Sequence, residues 1–265
     1  MKKLLLLLND YPASGKSTLA RCLSHYLQSF GAEHQLKVLV EETDADAEEH
    51  LMDASRLTPR SFLKVLENSP ITILEAATGQ ADFLGRFYTN HGLHASLEQA
   101  DISLSVVLPV TGEMESFDTV IEAVDVYSDR AEYLIVHWSP RSQEDEEKVW
   151  DCSYAARVMD MFDAAELHMP KIGFELEHEL QARRTDLIEV LQDKTLQSLM
   201  SVDFIKWHKR VFGQVDSARH YLFGEAFLPT VKPKILEGKA MHPLMPHVMG
   251  ASRTKNLPFG QPDWA

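Results

Sequence analysis

Short apolar segments alternate with amphipathic segments along most of the chain. Six of the apolar segments have the length of strands and are bounded by polar or turn residues, namely 4–8, 37–41, 71–75, 102–109, 133–138 and 167–172. A strand inside a parallel sheet is covered on both faces, so it reads as a nearly continuous apolar run. Between the runs, apolar residues recur every three or four positions, which is typical of amphipathic helices. This order predicts an α/β fold with a doubly wound, mainly parallel sheet and helices on both faces.

Helix start and stop signals refine this prediction. The first helix should end at Gly31, because glycine is favoured just beyond a helix, and Thr58-Pro59 is typical of a helix start. The predicted helices are 16–30, one beginning at Asp46, one following Thr58, a stretch broken near His91, 115–127, one with an acidic start at 144–147, and a continuously helical region from 175 to 223.

Composition predicts one main domain followed by a tail. The chain has 265 residues, of which 45% are hydrophobic, and that is enough for one sizeable core. We assign residues 1–223 to the domain and residues 224–265 to the tail, which from Ala226 onward holds half of all the prolines and five basic residues against two acidic ones. Prolines at this density prevent regular helices and central strands. The tail either packs on its own domain or binds a partner, and both alternatives stay open.

The net charge of −14 opposes general coating of nucleic acid, because phosphate backbones repel an acidic protein. A basic and aromatic stretch, 206–210, stands out on a predicted helix. The favoured interpretation is a solvated helix face with Trp207 packed inward, and direct DNA binding is left undecided.

The cellular compartment is predicted from what the sequence does not contain. Only two cysteines occur, Cys22 and Cys152, and their spacing fits neither a metal site nor a disulfide framework. The basic start followed by leucines at 4–8 is too short for a secretory signal, and no apolar run is long enough to span a bilayer. We therefore expect a cytoplasmic protein without a membrane span.

The strongest motif follows the first strand directly. Gly15-Lys16-Ser17-Thr18 opens a predicted helix, so the local order is strand, short loop, helix. A phosphate-binding loop requires this order, because the helix N-terminus and loop N–H groups face the anion, the lysine reaches the terminal phosphates and the hydroxyl ligates Mg²⁺. In the pattern G-x-x-x-x-G-K-[ST], the first glycine position is held by Asp10. That carboxylate either disfavours phosphate or caps the turn, and the sequence does not decide between them.

Acidic residues follow two further strands. Glu42 and Asp44 come after the second strand, and Glu75 ends the third strand, shortly before Gly79. The carboxyl ends of parallel strands share one edge of the sheet, so we expect these residues to converge on the phosphate loop. Nucleotide hydrolysis requires such a set, with carboxylates around Mg²⁺ and the attacking water.

The order of these motifs resembles the ParA/MinD branch of P-loop NTPases, and within it the TraL and StbB type of protein encoded by conjugative plasmids. The likeness rests on Gly15-Lys16-Ser17-Thr18 and on the segments VLVEETDAD, ITILEAATG, SVVLPVTG, AEYLIVHWSP and LQARRTDLIEVLQDKTLQSLM, and it covers most of the chain to about His220.

The resemblance implies a role for each matching residue. Phosphate contacts fall to Gly15, Lys16 and Thr18, Mg²⁺ ligation to Ser17, Asp44 and Glu42, and catalytic roles to Lys16, Asp44 and Glu75. Ser14, Ser17 and Gly79 join the cofactor-binding residues, and residues 75–79 form a second switch. The chain departs from the branch at three places: Tyr11 stands where the signature lysine belongs, Glu75 replaces an aspartate, and Ala45-Asp46 replaces Pro-Gln. Nucleotide binding is therefore expected more firmly than rapid hydrolysis.

These residues lead to one expected function and two alternatives. We expect a Mg²⁺-dependent, ATP-binding switch protein with at most weak ATPase activity, which acts with a protein partner in plasmid partition or transfer. The resemblance is also compatible with a homodimer. No Asn-Lys-x-Asp guanine signature follows the fifth strand, which favours adenine over guanine. The alternatives are a P-loop small-molecule kinase and a degenerate P-loop scaffold that binds no nucleotide.

Overall fold

The computed structural model describes residues 1–43, 50–138 and 148–231. Within these ranges the chain forms one seven-stranded sheet, with every pairing parallel and the strand order β3-β2-β4-β1-β5-β6-β7. The strands are β1 (Lys2–Leu7), β2 (His34–Val40), β3 (Leu51–Asp53), β4 (Ile71–Ala76), β5 (Ile102–Val110), β6 (Glu132–Trp138) and β7 (Ala165–Met169). Helices cover both faces of this sheet, so the predicted fold class is confirmed.

Residues 148–151 are helical, and eleven further α-helices lie wholly within the same ranges. They are α1 (Lys16–Ser29), α2 (Pro59–Glu67), α3 (Ala81–Asn90), α4 (Leu93–Gln99), α5 (Asp118–Tyr127), α6 (Tyr154–Met161), α7 (Phe174–Arg183), α8 (Leu187–Gln192), α9 (Lys194–Leu199), α10 (Val202–Ser217) and α11 (Arg219–Phe223). Short 3₁₀ turns occupy Ala54–Arg56, Met114–Phe117, Ser128–Arg130 and Gly224–Ala226. None of these helices has the length and apolar character that crossing a bilayer requires.

The leucine run at the start of the chain supplies both cores. Leu4, Leu6 and Leu8 point to the face that is covered by α2 to α6, whereas Leu5 and Leu7 point to the face covered by α1 and the C-terminal helices. Successive side chains of a strand point to opposite faces, so a central strand, covered on both, is apolar at most of its positions. Each fully buried leucine contributes roughly 2 kcal/mol of transfer free energy.

Two sequence predictions are corrected by the fold. The segment after the helix predicted at Asp46 forms strand β3 over Leu51–Asp53, and Asp46 itself lies outside the described residues, as does the acidic helix start at 144–147. Strand β3 forms because β2 offers a free edge, to which residues 51–53 add by pairing with Val38–Val40. The sheet therefore has seven strands instead of the predicted six.

The region predicted as continuously helical, 175–223, is divided into five helices. The side chains of Asp186, Asp193 and Ser201 accept hydrogen bonds from the backbone N–H groups of the helices that follow them. Such N-caps begin a new helix wherever the chain changes direction. Periodicity alone does not reveal these changes of direction, because the apolar spacing continues across them.

The first residues of the predicted tail pack on the domain. The backbone N–H groups of Thr230 and Val231 both donate to the carbonyl oxygen of Phe30, and the Thr230 hydroxyl donates to the Gly31 carbonyl. Ala226 is buried in the core on the α1 side of the sheet. Residues 232–265 lie outside the described residues.

The strand order creates a crevice beyond β1. From β1 the chain passes β4 to reach β2, toward one edge of the sheet. From β4 it passes β1 to reach β5, toward the opposite edge. Leu7 at the end of β1 is in register with Glu75 on β4 and with Val107 on β5. Ligands of open parallel sheets bind at such a reversal of strand order, outside the carboxyl ends of the strands.

Candidate functional site

Residues 8–17, called here the GKS loop, connect β1 to the first turn of α1. Asn9 anchors this loop and is fully buried. Its Nδ2 donates to the carbonyl oxygens of Pro109 at 2.7 Å and Ser116 at 2.9 Å, and its Oδ1 accepts from the Tyr11 backbone N–H at 2.7 Å. All of its strong hydrogen-bonding groups are thus used within the protein. The loop is therefore fixed to the segment that follows β5.

The backbone at the start of α1 suits an anion. Gly15 precedes the helix with φ at +84°, and no side chain of the described residues caps the helix N-terminus. A Cβ at this position would lie 2.6 Å from Cδ2 of Trp138, whose ring covers the glycine. Ala13 also has a left-handed φ of +61°, a conformation that is uncommon outside glycine and is often found at functional sites. The N–H groups of the first helical turn have no intrahelical acceptor and favour a negative charge.

Lys16 is held inside the GKS loop. Its side chain is buried, with only 6% of the residue exposed, and its Nζ donates to the carbonyl oxygen of Asn9. Burial lowers the pKa of this ammonium, and the nearby carboxylates of Glu75 and Asp10 oppose that shift. An anion bound at the helix N-terminus would offer the ammonium a charged acceptor in place of a neutral carbonyl, and charge-assisted hydrogen bonds are the stronger kind.

Ser17 and Glu75 meet across the end of the sheet. The Ser17 hydroxyl donates to Oε1 of Glu75, a carboxylate on β4 that is only 5% exposed. A hydroxyl and a carboxylate are oxygen ligands of the kind that Mg²⁺ prefers, and Mg²⁺ commonly takes only one or two protein ligands beside phosphate and water. The chemistry of this donor pair therefore fits a magnesium ion, with Ser17 and Glu75 as the residues that would hold it.

Asp10 joins the GKS loop to the segment after β4. Its Oδ1 accepts from the backbone N–H groups of Gly79 at 2.8 Å and Ala81 at 3.4 Å, and its own N–H donates to the Thr119 hydroxyl at 3.2 Å. The carboxylate thus caps the turn that leads into α3, and not a turn within its own loop. Its charge nevertheless remains close enough to Lys16 to affect the pKa of the lysine.

The other predicted site residues are not all brought to the loop. Glu42 is exposed beyond the end of β2, and in the described part of the chain it makes no hydrogen bond or ion pair with the GKS loop. Asp44 lies outside the described residues. Ser14 is buried within the loop, whereas Gly79 is exposed beside Asp10 with φ at +85°. The structure thus joins the sites predicted around Lys16 and Glu75, but it does not bring Glu42 to them.

A cavity of about 530 Å³ lies beside the GKS loop. It is bounded by Thr18 and Trp138 on one side and by Gln181 and Leu187 of α7 and α8 on the other. Its volume is in the range of small-molecule and cofactor pockets. Trp138 at the end of β6 is half-buried, and its contact with Gly15 was not predicted from the sequence.

The basic stretch at 206–210 lies on α10, and its side chains are oriented as the sequence predicted. Trp207 is buried and its indole N–H donates to the carbonyl oxygen of Pro170, whereas Lys206, Lys209 and Arg210 are exposed. The interpretation with Trp207 packed inward is confirmed. Sequence reasoning missed Asn9, although a lone amide between an apolar strand and a glycine loop is typical of a turn anchor.

Comparison with protein-family models gives no match for this chain, and comparison with curated proteins gives none either. Fold and site therefore define the class that can be stated: an all-parallel α/β protein with a glycine-lysine-serine loop at the carboxyl edge of its sheet.

Proposed function

We propose that this chain is a Mg²⁺-nucleotide-binding switch protein of the ParA/MinD type, with ATP as its nucleotide, which serves plasmid partition, maintenance or conjugative transfer. One observation carries the proposal. Lys16 and Ser17 open α1 directly beyond the central strand, and Ser17 meets the buried carboxylate of Glu75 on the neighbouring strand. A phosphate loop and its acidic partner need this juxtaposition.

The GKS loop binds the phosphates in this proposal. The N–H groups at the start of α1 bind the anion, and Lys16 leaves the Asn9 carbonyl to pair with a terminal phosphate. Burial lowers the pKa of Lys16, which means that the free protein holds the ammonium at a cost that a phosphate group would offset. Thr18, in the first turn of the helix, lines the adjoining cavity, where the base and ribose would lie.

Bound Mg²⁺ supplies positive charge between the phosphate oxygens and the protein carboxylates. Ser17 and Glu75, which share a hydrogen bond in this structure, are the residues that would hold the ion through their side-chain oxygens. Glu75 is therefore the candidate for the catalytic acid as well. Asp44, the other acid that the resemblance assigns to the metal, lies outside the described residues, so the proposal depends on Ser17 and Glu75.

The switch in this proposal is the segment after β4. Glu75 lies at the end of that strand, and Asp10 of the GKS loop binds the backbone of Gly79 four residues later. The GKS loop thus holds residues 75–79 at both ends, through Ser17 at Glu75 and through Asp10 at Gly79, and α3 follows directly. A ligand that displaces Ser17 from Glu75 therefore acts on this segment. Ordering such a segment around a nucleotide changes the surface that a partner protein contacts. The functional output is a change in partner affinity, with at most slow hydrolysis.

Equilibrium titration with ATP and GTP, with and without Mg²⁺, tests the proposal. The expected result is Mg²⁺-dependent ATP binding that Lys16→Ala weakens by about 30- to 150-fold, because charge-assisted contacts to phosphate contribute roughly 2–3 kcal/mol. Ser17→Ala should reduce the effect of Mg²⁺ more than it reduces binding without the ion. Lys206→Ala is the matched control, since Lys206 is exposed on α10, far along the chain from the loop.

Two results would contradict the proposal. Equal ATP affinity in the wild-type protein and Lys16→Ala would mean that the nucleotide binds elsewhere. No binding by either protein would favour the scaffold alternative, for which the carboxylate of Asp10 beside Lys16 is the supporting observation.

A further inference from the structure

Three potential metal ligands converge on the last two strands of the sheet, apart from the GKS loop. His137 on β6 and Glu166 and His168 on β7 each offer one ligand atom, and these three atoms all lie within 4.8 Å of one another. We call this group the His-Glu-His cluster. In the described part of the chain it is the only set of three His, Cys, Asp or Glu residues with this convergence.

Strand geometry explains why the side chains meet. His137 and His168 are directly paired in the parallel register of β6 and β7, and their rings stack with centroids 4.5 Å apart and planes 11° from parallel. Glu166 precedes His168 by two residues on the same strand, so both side chains point to one face of the sheet. The main-chain pairing of two strands therefore holds all three ligands.

A fourth residue fixes the carboxylate. The indole N–H of Trp150 donates to Oε1 of Glu166 at 3.1 Å, which leaves Oε2 facing Nε2 of His137 at 2.9 Å. Trp150 itself is buried against Phe117 in the core. Metal sites use such outer partners to orient their carboxylate ligands. One carboxylate oxygen is thus anchored, and the other is directed at the histidine.

We propose that the His-Glu-His cluster binds a divalent transition-metal ion, with Zn²⁺ as the best fit. Two imidazoles and one carboxylate are typical zinc ligands, and a site with three protein ligands keeps a fourth position for water or another molecule. This inference is independent of the proposed nucleotide function. It concerns the face of the sheet covered by α5 and α6, whereas α1 covers the opposite face.

The distances require only small movements. Ligand atoms of a tetrahedral zinc site are about 3.3 Å apart, because Zn–N and Zn–O bonds are roughly 2.1 Å long. Nε2 of His137 and Oε2 of Glu166 must therefore separate by about 0.4 Å from their present 2.9 Å. The widest separation in the cluster, within 4.8 Å, must close by at most about 1.5 Å, which side-chain rotation can supply.

Partial burial further favours a metal. In the His137–Glu166 pair the side chains are 11% and 37% exposed, so solvent and ions can still reach the carboxylate. A metal ion uses all three groups, with His137 giving up its hydrogen bond to Glu166 and binding through Nε2.

Titration of the chelator-treated full chain with Co²⁺ tests this site. Co²⁺ absorbs visible light much more strongly in a four-coordinate protein site than in water, so binding is seen directly. We expect one Co²⁺ per chain, displaced by one Zn²⁺, and a higher midpoint of thermal unfolding when Zn²⁺ is present. His168→Ala and Glu166→Gln should each weaken binding by at least about 100-fold, since even outer partners contribute 10- to 100-fold. Trp150→Phe should weaken it by about 10-fold.

Controls separate this site from other histidines and from the nucleotide. His178→Ala removes an exposed histidine on α7 and should bind Co²⁺ like the wild-type protein, and so should Lys16→Ala. Circular dichroism of each metal-free variant establishes that it is folded. If His168→Ala does not fold, the Co²⁺ affinity of Glu166→Gln alone tests whether the cluster binds the metal. No stoichiometric binding by the wild-type protein, or binding that survives in both ligand variants, would overturn the proposal.

Discussion

A buried histidine on α10 should make the protein sensitive to mild acid. His208 is only 3% exposed, and its ring lies among three aromatic or imidazole rings. The centroid distances are 4.3 Å to Phe212, 5.0 Å to His25 and 5.8 Å to Phe204. Neither ring nitrogen of His208 has a hydrogen-bond partner among the described residues. The folded protein therefore favours the neutral imidazole strongly.

The magnitude follows from the shift in pKa. Burial, and to a smaller degree His25, lowers the pKa of His208 from 6.5 to about 3. Below pH 6.5 the unfolded chain binds a proton at this position that the folded chain refuses, so stability is complete above that pH and falls as the pH drops toward 3. The loss is about 1.4 kcal/mol per pH unit, or roughly 2 kcal/mol at pH 5. Burial, followed by Lys194, also lowers the pKa of His25, which acts in the same direction.

The variant His208→Leu removes the titrating group and both ring nitrogens while filling a similar volume. At pH 7.5 we expect it to raise the free energy of unfolding by about 1 kcal/mol, because a buried polar group without a partner is costly. At pH 5 the gain should be larger by roughly 2 kcal/mol. Urea unfolding at both pH values measures the two gains, provided the dependence on urea is unchanged. His178→Gln, on an exposed position of α7, is the control and should show no such pH dependence.

A gain that is equal at pH 7.5 and pH 5 would refute this reasoning, because it would mean that His208 titrates normally in the folded protein. A loss of stability at both pH values would show that the imidazole makes favourable contacts that leucine cannot replace.

Three further predictions concern polar and strained positions. Asp10→Asn keeps an acceptor for the Gly79 N–H but removes a negative charge near the proposed phosphate site, so ATP affinity should rise roughly three- to tenfold. A weaker affinity in the titration would mean that the Asp10 charge does not repel the phosphates. Gly15→Ala places a Cβ against Trp138 at a left-handed φ and should lower the free energy of unfolding in urea by at least about 1 kcal/mol, with an unchanged value as the contrary result. Glu132→Gln removes the ion-pair partner of the buried Lys3 ammonium and should lower the free energy of unfolding by about 1–2 kcal/mol. Lys3→Met should lower it less, because it leaves no unpaired charge buried. A larger loss for Lys3→Met in the same assay would contradict this explanation.

The sheet could be predicted because its signals are local. A central parallel strand must be apolar on both faces, and β1, β4, β5 and β6 all meet that condition within their own residues. Strand β3 does not, because three residues carry no periodicity and form a strand only where β2 leaves an edge to pair with. The breaks between α7 and α11 were missed for the same reason, since the apolar spacing continues while the direction of the chain changes.

The candidate site was predictable only in part. Lys16 and Ser17 could be assigned because the loop, the helix start and the motif lie within a few residues of one another. Ser17 and Glu75 are 58 residues apart, and their meeting depends on β1 pairing with β4, which the sequence could only suggest through the expected sheet edge. Glu42 was assigned by the same reasoning but lies beyond β2, which β4 separates from β1. Position at a strand end thus locates a residue on the correct edge without saying which strands are neighbours.

The His-Glu-His cluster illustrates a signal that was present but not sufficient. Glu166 and His168 are two residues apart on one strand, and this spacing places both potential ligands on the same face of the sheet. The pattern gains chemical meaning only when β6 pairs with β7 in the register that sets His137 opposite His168. A shift of one residue in that register would turn His137 to the other face of the sheet and leave two ligands, which is too few for a zinc site. Register, which the sequence does not reveal for parallel strands, therefore determines whether these three residues can act together.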